Sequence, residues 1–131
     1  MSKYFPLALL AAGLLLPLAG SADTPETMAR NLERFERYAG PPVEEMRNFR
    51  LYRWRPLGER ELAIWANPGD VYLVRLEGPC DGFDFAKTIH VTSSNRVVSR
   101  DIDAIEFQHQ HCPIASIQPV DYKALQRDSD D

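Results

Sequence analysis

The segment with the most suggestive chemistry is His109-Gln110-His111-Cys112, near the end of the chain. Imidazole nitrogens bind zinc and copper, and residues i and i+2 of a β-strand point to one face, so His109 and His111 could reach one metal ion. His90 is the candidate third ligand if its strand lies adjacent. A His-x-His pair alone is a weak signal, and the favoured alternative is a polar turn before the last strand.

A second candidate site is a stretch in which arginines interleave with aromatic residues. Its members are Arg50, Tyr52, Arg53, Trp54 and Arg55. Guanidinium groups bind carboxylates and phosphates and stack on aromatic rings, so the stretch predicts a surface for an anionic glycan, a phosphate group or an acidic partner. The alternative is an edge strand kept soluble by its arginines, with Trp54 in the core.

Other reaction centres find little support in the sequence. Asp81 and Asp84 flank Gly82, but a calcium loop needs more oxygen ligands, so turn-forming aspartates are the favoured interpretation. No serine lies in a glycine-flanked elbow, and the sequence has no glycine-rich phosphate loop and no Cys-x-x-Cys motif. These observations predict a protein that is not an enzyme and uses no cofactor.

The first 22 residues have the layout of a secretory signal. Lys3 precedes an apolar run over 7–18, and the small residues Gly20-Ser21-Ala22 follow it. The run is shorter than the ~20 apolar residues of a spanning helix, so we expect no stable membrane span after cleavage. An uncleaved membrane-anchoring helix is the alternative. The predicted localisation is periplasmic or secreted, in a bacterium.

Charge and cysteine content add to this prediction. The net charge of −4 disfavours nonspecific binding to nucleic acid, which depends on neutralising phosphates. Cys80 and Cys112 are the two cysteines of the chain. In an exported protein they most simply form one disulfide, and two free thiols are the alternative.

Residues 23–42 are predicted to form an N-terminal amphipathic helix and a linker, with Pro41-Pro42 preventing continuation of the helix. We expect its apolar stripe to dock on the sheet of its own domain, and a partner-binding helix is the alternative. The stripe consists of Met28, Leu32, Phe35 and Ala39.

Short apolar runs separated by turns fill residues 43–122. The clearest hairpin joins Glu61–Ala66 to Val71–Glu77 through the turn Asn67–Asp70. Further candidate strands cover residues 49–55, 87–92, 96–99, 104–108 and 112–120. About six or seven short strands predict a mainly β fold, a small antiparallel barrel or sandwich with one N-terminal helix. A short helix over 122–126 and an acidic C-terminal tail, within residues 123–131, complete the prediction.

Residues 45–122 resemble a family of small exported proteobacterial proteins that is classified only as a domain of unknown function. The matching motifs are Trp54-Arg55-Pro56-Leu57-Gly58, Tyr72–Leu76, Gly78-Pro79-Cys80, Phe85-Ala86, Ile89-His90-Val91, Asp103-Ala104, Cys112-Pro113-Ile114 and Ile117–Asp121. The resemblance supports the pairing of Cys80 with Cys112 and brings no known activity. Histidines before the second cysteine are not a feature of the family, which weakens a role for His109 and His111.

The sequence therefore predicts a noncatalytic periplasmic protein for binding or assembly, whose partner is an unknown protein or an anionic envelope component. A periplasmic protein that binds copper or zinc is the alternative function, and a small hydrolase ranks third.

Overall fold

The computed structural model of the protein describes residues 23–78 and 80–130. In these residues eight strands form two antiparallel sheets, and the predicted mainly β class is confirmed. The predicted secretory signal, residues 1–22, lies outside the described residues. The elements are α1 (Pro25–Arg37), β1 (Glu45–Met46), β2 (Arg53–Pro56), β3 (Glu61–Trp65), β4 (Val71–Leu76), a 3-10 turn (Phe83–Phe85), β5 (His90–Val91), β6 (Val98–Ser99), β7 (Ala104–Phe107), β8 (Gln110–Val120) and α2 (Tyr122–Asp130).

Helix α1 begins where its sequence predicts. Thr24 is the N-cap, and its Oγ1 accepts a hydrogen bond from the backbone N–H of Thr27 at 3.1 Å. This bond satisfies one of the donors that the first helical turn leaves without a partner, and Pro25 needs no such bond. The apolar stripe lies against the sheet, where Met28 and Phe35 are buried. The expected docking of the helix on its own domain is confirmed.

The β3–β4 hairpin is the one that the sequence predicts. Asn67 closes the turn, because its Oδ1 accepts hydrogen bonds from the backbone N–H groups of Gly69 and Asp70 at 3.0 and 2.9 Å. Leu62 pairs with Val74, and Ala63 pairs with Leu73. All four of these side chains are fully buried, so the hairpin is covered on both faces and lies at the centre of the domain.

Strand β8 connects the two halves of the larger sheet, whose order is β2-β3-β4-β8-β7-β5. Its first residues pair with β7, and the residues from Ile114 onward pair with β4. The register shifts by one residue where β4 passes from Arg75 to Leu76. A bulge of this kind bends and twists a strand, so the sheet curves into a half-barrel. The second sheet pairs β1 with β6.

Two apolar cores lie on the two sides of the curved sheet. The barrel core holds Ile64, Val74 and Ile117, together with Met46 and Val98 from the small sheet. The helix-side core joins the other face of the β3–β4 hairpin to the two helices, and contains Phe35, Trp65, Leu73 and Leu125.

Several element boundaries differ from the predictions, and two of these differences have a clear physical cause. The predicted strand over 49–55 begins only at Arg53, because Asn48 has a φ of 53° and the side chain of Phe49 turns into the barrel core. The predicted short helix over 122–126 extends to Asp130, so residues expected in a frayed tail are helical. Burial of Leu125 against the helix-side core stabilises this longer helix.

Candidate functional site

The turn between β7 and β8 holds the first of the candidate histidines. Gln108 and His109 have φ values of 48° and 65°, and Phe107 pairs with Gln110 across them. Two residues with positive φ between paired strands form the tight hairpin loop that matches the right-handed twist of a sheet. His109 therefore lies in a polar turn before the last strand, as the favoured interpretation predicts, and the alternative in which His109 and His111 share one strand face is wrong.

The other two histidines lie in one row across three strands. His90 of β5 is opposite Glu106 of β7, and Glu106 is opposite His111 of β8. Directly opposed residues share a face of the sheet. His111 Nδ1 lies 3.0 Å from Glu106 Oε2. A cleft of about 500 Å³ lies here, and His90, Glu106, His109 and His111 are among the residues that line it.

The residues of this row are not the three histidines that the sequence predicts as metal ligands. Sequence reasoning missed Glu106, although a carboxylate five residues before His111 faces it when a two-residue loop intervenes. Within residues 23–78 and 80–130, no three histidine, cysteine, aspartate or glutamate side chains lie close enough together to hold a metal ion. Metal binding by His90, His109 and His111 stays a prediction.

We call Arg50, Tyr52 and Arg53 the edge surface, because they lie along the outer side of the sheet where β2 is the terminal strand. The backbone N–H of Tyr52 donates to the carbonyl of Trp65 at 3.0 Å, which holds the segment against β3. The Tyr52 side chain is 61% exposed. The guanidinium carbon of Arg53 lies 4.6 Å from the centre of the Trp65 ring, a cation–π contact.

The other two predicted members of this site have different surroundings. Trp54 is half-buried, and its ring lies 5.9 Å from that of Phe83 in the barrel core. Arg55 Nε and Nη2 each donate to Asp23 Oδ2 at 3.3 Å. The structure thus separates the predicted group into an exposed part, a core residue and an ion pair.

The disulfide between Cys80 and Cys112 is confirmed, with the two Cα atoms 6.5 Å apart. It joins the loop after β4 to the first half of β8. Both cysteines are buried in the barrel core. The bond leaves neither sulfur as a thiol nucleophile, and it restrains the loop that carries the buried ring of Phe83.

Asp103 has a structural role among the carboxylates. It is 8% exposed, its Oδ1 accepts from the Thr92 hydroxyl at 2.7 Å and its Oδ2 accepts from the Ser99 backbone N–H at 2.7 Å. These bonds tie together the ends of β5, β6 and β7.

Among the helices of the described residues, none is both long and apolar enough to cross a membrane.

Comparison with known proteins adds a family and no activity. Neither the curated proteins nor the solved structures contain a significant match to the chain. A family model does match, and its match covers residues 2–131, well beyond the stretch over 45–122 that carries the sequence resemblance. The chain belongs to this family, which is described as a family of unknown function, DUF6491.

Proposed function

We propose that the protein is a noncatalytic binding protein of the bacterial periplasm that holds an anionic partner on the edge surface. The observation that carries the proposal is the exposure of Arg50, Tyr52 and Arg53 where the chain enters the terminal strand β2. Within the described residues, neither Arg50 nor Arg53 forms an ion pair with a carboxylate. Their charges are therefore available to a partner.

The geometry of the edge surface favours binding over a purely solubilising role. Stacking on Trp65 restrains the Arg53 side chain, so less rotamer freedom is lost when it contacts an anion. Tyr52, which lies between the two arginines in the sequence, adds a large, rigid, exposed ring with a polar end, and such rings are enriched where proteins bind one another. An anionic surface of a protein or of an envelope polymer has the complementary charge.

The disulfide supports the proposed compartment. Disulfides persist in oxidising environments such as the bacterial periplasm and are rare where glutathione and thioredoxin keep thiols reduced. A disulfide that is buried in the barrel core is part of the folded structure, because it joins two elements of the same core. Export to the periplasm is the simplest way for such a chain to acquire it.

The competing functions have less support from the arrangement of side chains. No hydrogen bond among the described residues links a histidine to a serine, so a serine hydrolase has no paired nucleophile and base. His111 Nδ1 contacts Glu106 instead, and His109 is in a turn. The histidine row therefore offers a weaker case than the edge surface does.

Site-specific photo-crosslinking in cells of the source bacterium tests the proposal. A photoreactive phenylalanine analogue replaces Tyr52, and we expect one discrete adduct, identified by mass spectrometry as a protein or an envelope polymer. The double variant Arg50→Gln, Arg53→Gln is expected to lose most of this adduct, and added salt is expected to weaken it, because the attraction is electrostatic.

Two controls make the result specific. The same analogue at Ile102, which is 73% exposed, is expected to give no such adduct. Arg100→Gln removes an exposed arginine that is already paired with Glu44 and Asp101, and it is expected to leave the Tyr52 adduct unchanged. Equal crosslinking from Tyr52 and Ile102, or an adduct that survives the double variant, contradicts the proposal.

A further inference from the structure

A polar cleft of about 280 Å³ lies between α1, β2 and α2. We call it the helix cleft. Phe35 and Tyr122, whose ring centres are 6.1 Å apart, form part of its apolar lining. The polar lining includes Asn31, Arg34 and Arg55. Two arginines and an amide around one small cavity give it a positive, donor-rich interior.

The side-chain amide of Asn31 is buried at the helix cleft and has an unsatisfied donor in the described part of the chain. Asn31 is 8% exposed, and its Nδ2 is buried without a hydrogen-bond acceptor in the described part of the chain. Buried polar groups in folded proteins are almost always hydrogen-bonded, because an unsatisfied donor loses its bonds to water and gains nothing in return. A rotation of the Asn31 amide toward the helix cleft would let an acceptor there satisfy this donor.

The two arginines leave donors for the same acceptor. Within the described residues, Arg34 Nη2 donates to the carbonyl of Leu125 at the long distance of 3.5 Å. Arg55 directs Nε and Nη2 at one carboxylate oxygen of Asp23, each at 3.3 Å. The contact with Asp23 thus shows that the Arg55 guanidinium binds a carboxylate. Because these hydrogen bonds are long, an anion that comes closer can displace the Asp23 carboxylate.

We propose that the helix cleft is a binding site for a small oxyanion, a carboxylate or a phosphate group, held by Asn31, Arg34 and Arg55. Guanidinium groups supply charge and paired donors, and the Asn31 amide, once rotated toward the cleft, donates to a further oxygen of the anion. The volume lies just below the range of sites that hold drug-sized ligands, so it suits one anionic group on a small molecule. This proposal does not rest on the function proposed for the edge surface, although Arg55 lies two residues from Arg53 on β2.

Nuclear magnetic resonance titration of the purified protein tests the proposal, with inorganic phosphate in one series and acetate in another. Sodium chloride at matched ionic strength is the reference. We expect saturable shifts of the Asn31 side-chain amide and of the Arg34 and Arg55 Nε–H signals with at least one of the two anions. The series that saturates at the lower concentration identifies the preferred group.

Substitutions with opposite expected effects make the test sharper. Arg34→Gln removes a charge at the cleft and is expected to weaken binding by about tenfold or more, which corresponds to the loss of one charge-assisted hydrogen bond. Arg30→Gln, one turn earlier on the exposed face of α1, is the matched control and is expected to change nothing. Asp23→Asn is expected to tighten binding, because it removes the carboxylate that competes for Arg55.

A third variant tests the buried donor itself. Asn31→Leu deletes the unpartnered amide while keeping a similar volume, so we expect a folded protein with weakened anion binding and unchanged circular dichroism. The proposal is overturned if neither anion gives saturable shifts at millimolar concentration. It is equally overturned if Arg30→Gln weakens binding as much as Arg34→Gln, or if Asp23→Asn weakens it.

Discussion

At the scale of single residues, Tyr72 couples ionisation to folding. Burial is the main cause that raises the pKa of Tyr72 above its ordinary value of 10.0, and the nearby carboxylate of Asp70 raises the pKa further. Both causes disfavour the phenolate in the folded state only. In the alkaline range the unfolded chain therefore releases this proton first.

The sign of the pH dependence follows from that order. The protonated phenol contributes its full stability below the unfolded pKa, and this contribution is lost as the pH rises through the higher folded pKa. We predict that Tyr72→Phe, which cannot ionise, loses less stability than the natural protein between about pH 9 and pH 11. Urea denaturation at a series of pH values measures the difference. Tyr52→Phe is the control at an exposed position. The prediction is contradicted if the free energy of unfolding of Tyr72→Phe falls with pH as steeply as that of the natural protein.

At the scale of elements, the β7–β8 turn has residues that are not ideal for it. A two-residue hairpin loop with positive φ favours Asn-Gly, and this chain has Gln108 and His109. A residue with a Cβ atom in the left-handed region costs ~1 kcal/mol or more, and glycine avoids this cost. The turn is therefore formed because β7 and β8 pair on both sides of it.

The conformation of the turn predicts opposite effects for one substitution at two positions. We expect His109→Gly to raise the free energy of unfolding by roughly 0.5–1 kcal/mol, because glycine relieves the strained φ. His111→Gly is expected to lower it by about 1 kcal/mol, because His111 lies in β8, where glycine weakens a strand. Chemical denaturation of both variants measures the effects. A loss of stability for His109→Gly comparable to that for His111→Gly contradicts the assigned turn.

The same turn shows why only part of the structure could be predicted from the sequence. Asn67-Pro68-Gly69-Asp70 carries a strong local signal, and the hairpin around it was predicted correctly. For Gln108-His109 the sequence favours a polar turn but does not indicate a two-residue loop with positive φ, because that conformation is imposed by pairing between strands. The row of His90, Glu106 and His111 depends on the same long-range register, so it could not be read from spacing along the chain.

The edge surface and the helix cleft differ in how far they could be predicted from the sequence. The interleaved arginines marked a candidate surface, but Arg55 is taken out of it by its ion pair with Asp23, a contact 32 positions away in the chain. The helix cleft had no sequence signal at all, because Asn31 and Arg55 come together only when both helices pack on the sheet. Composition and local pattern fix elements, whereas sites between elements require the packing.

At the scale of the whole molecule, the disulfide adds a covalent link between two segments that hydrogen bonds also join, Glu77 to Pro113 and Asp81 to Gln110. The loop after β4 has few strand contacts of its own, and it is held by Cys80 and by the Phe83 ring, which lies 5.3 Å from that of Phe107. Strand β8 receives the other sulfur at Cys112, within its pairing to β7. The bond thus closes the barrel core on the side opposite the helices.

Reducing this bond is predicted to destabilise the whole domain. The two cysteines are 32 positions apart, and on the chain-entropy model a loop of this length gives ~3.5 kcal/mol, mostly by restricting the unfolded chain. We expect the free energy of unfolding of the natural protein to fall by about this much when a reductant is present. The double variant Cys80→Ala, Cys112→Ala is expected to have the same free energy of unfolding as the reduced protein, with or without the reductant. Thiol counting on the unfolded, unreduced protein is expected to find no free thiol. Two titratable thiols contradict a structural disulfide. A denaturation midpoint that the reductant leaves unchanged contradicts it too, because a cross-link that restricts the unfolded chain must affect the unfolding equilibrium.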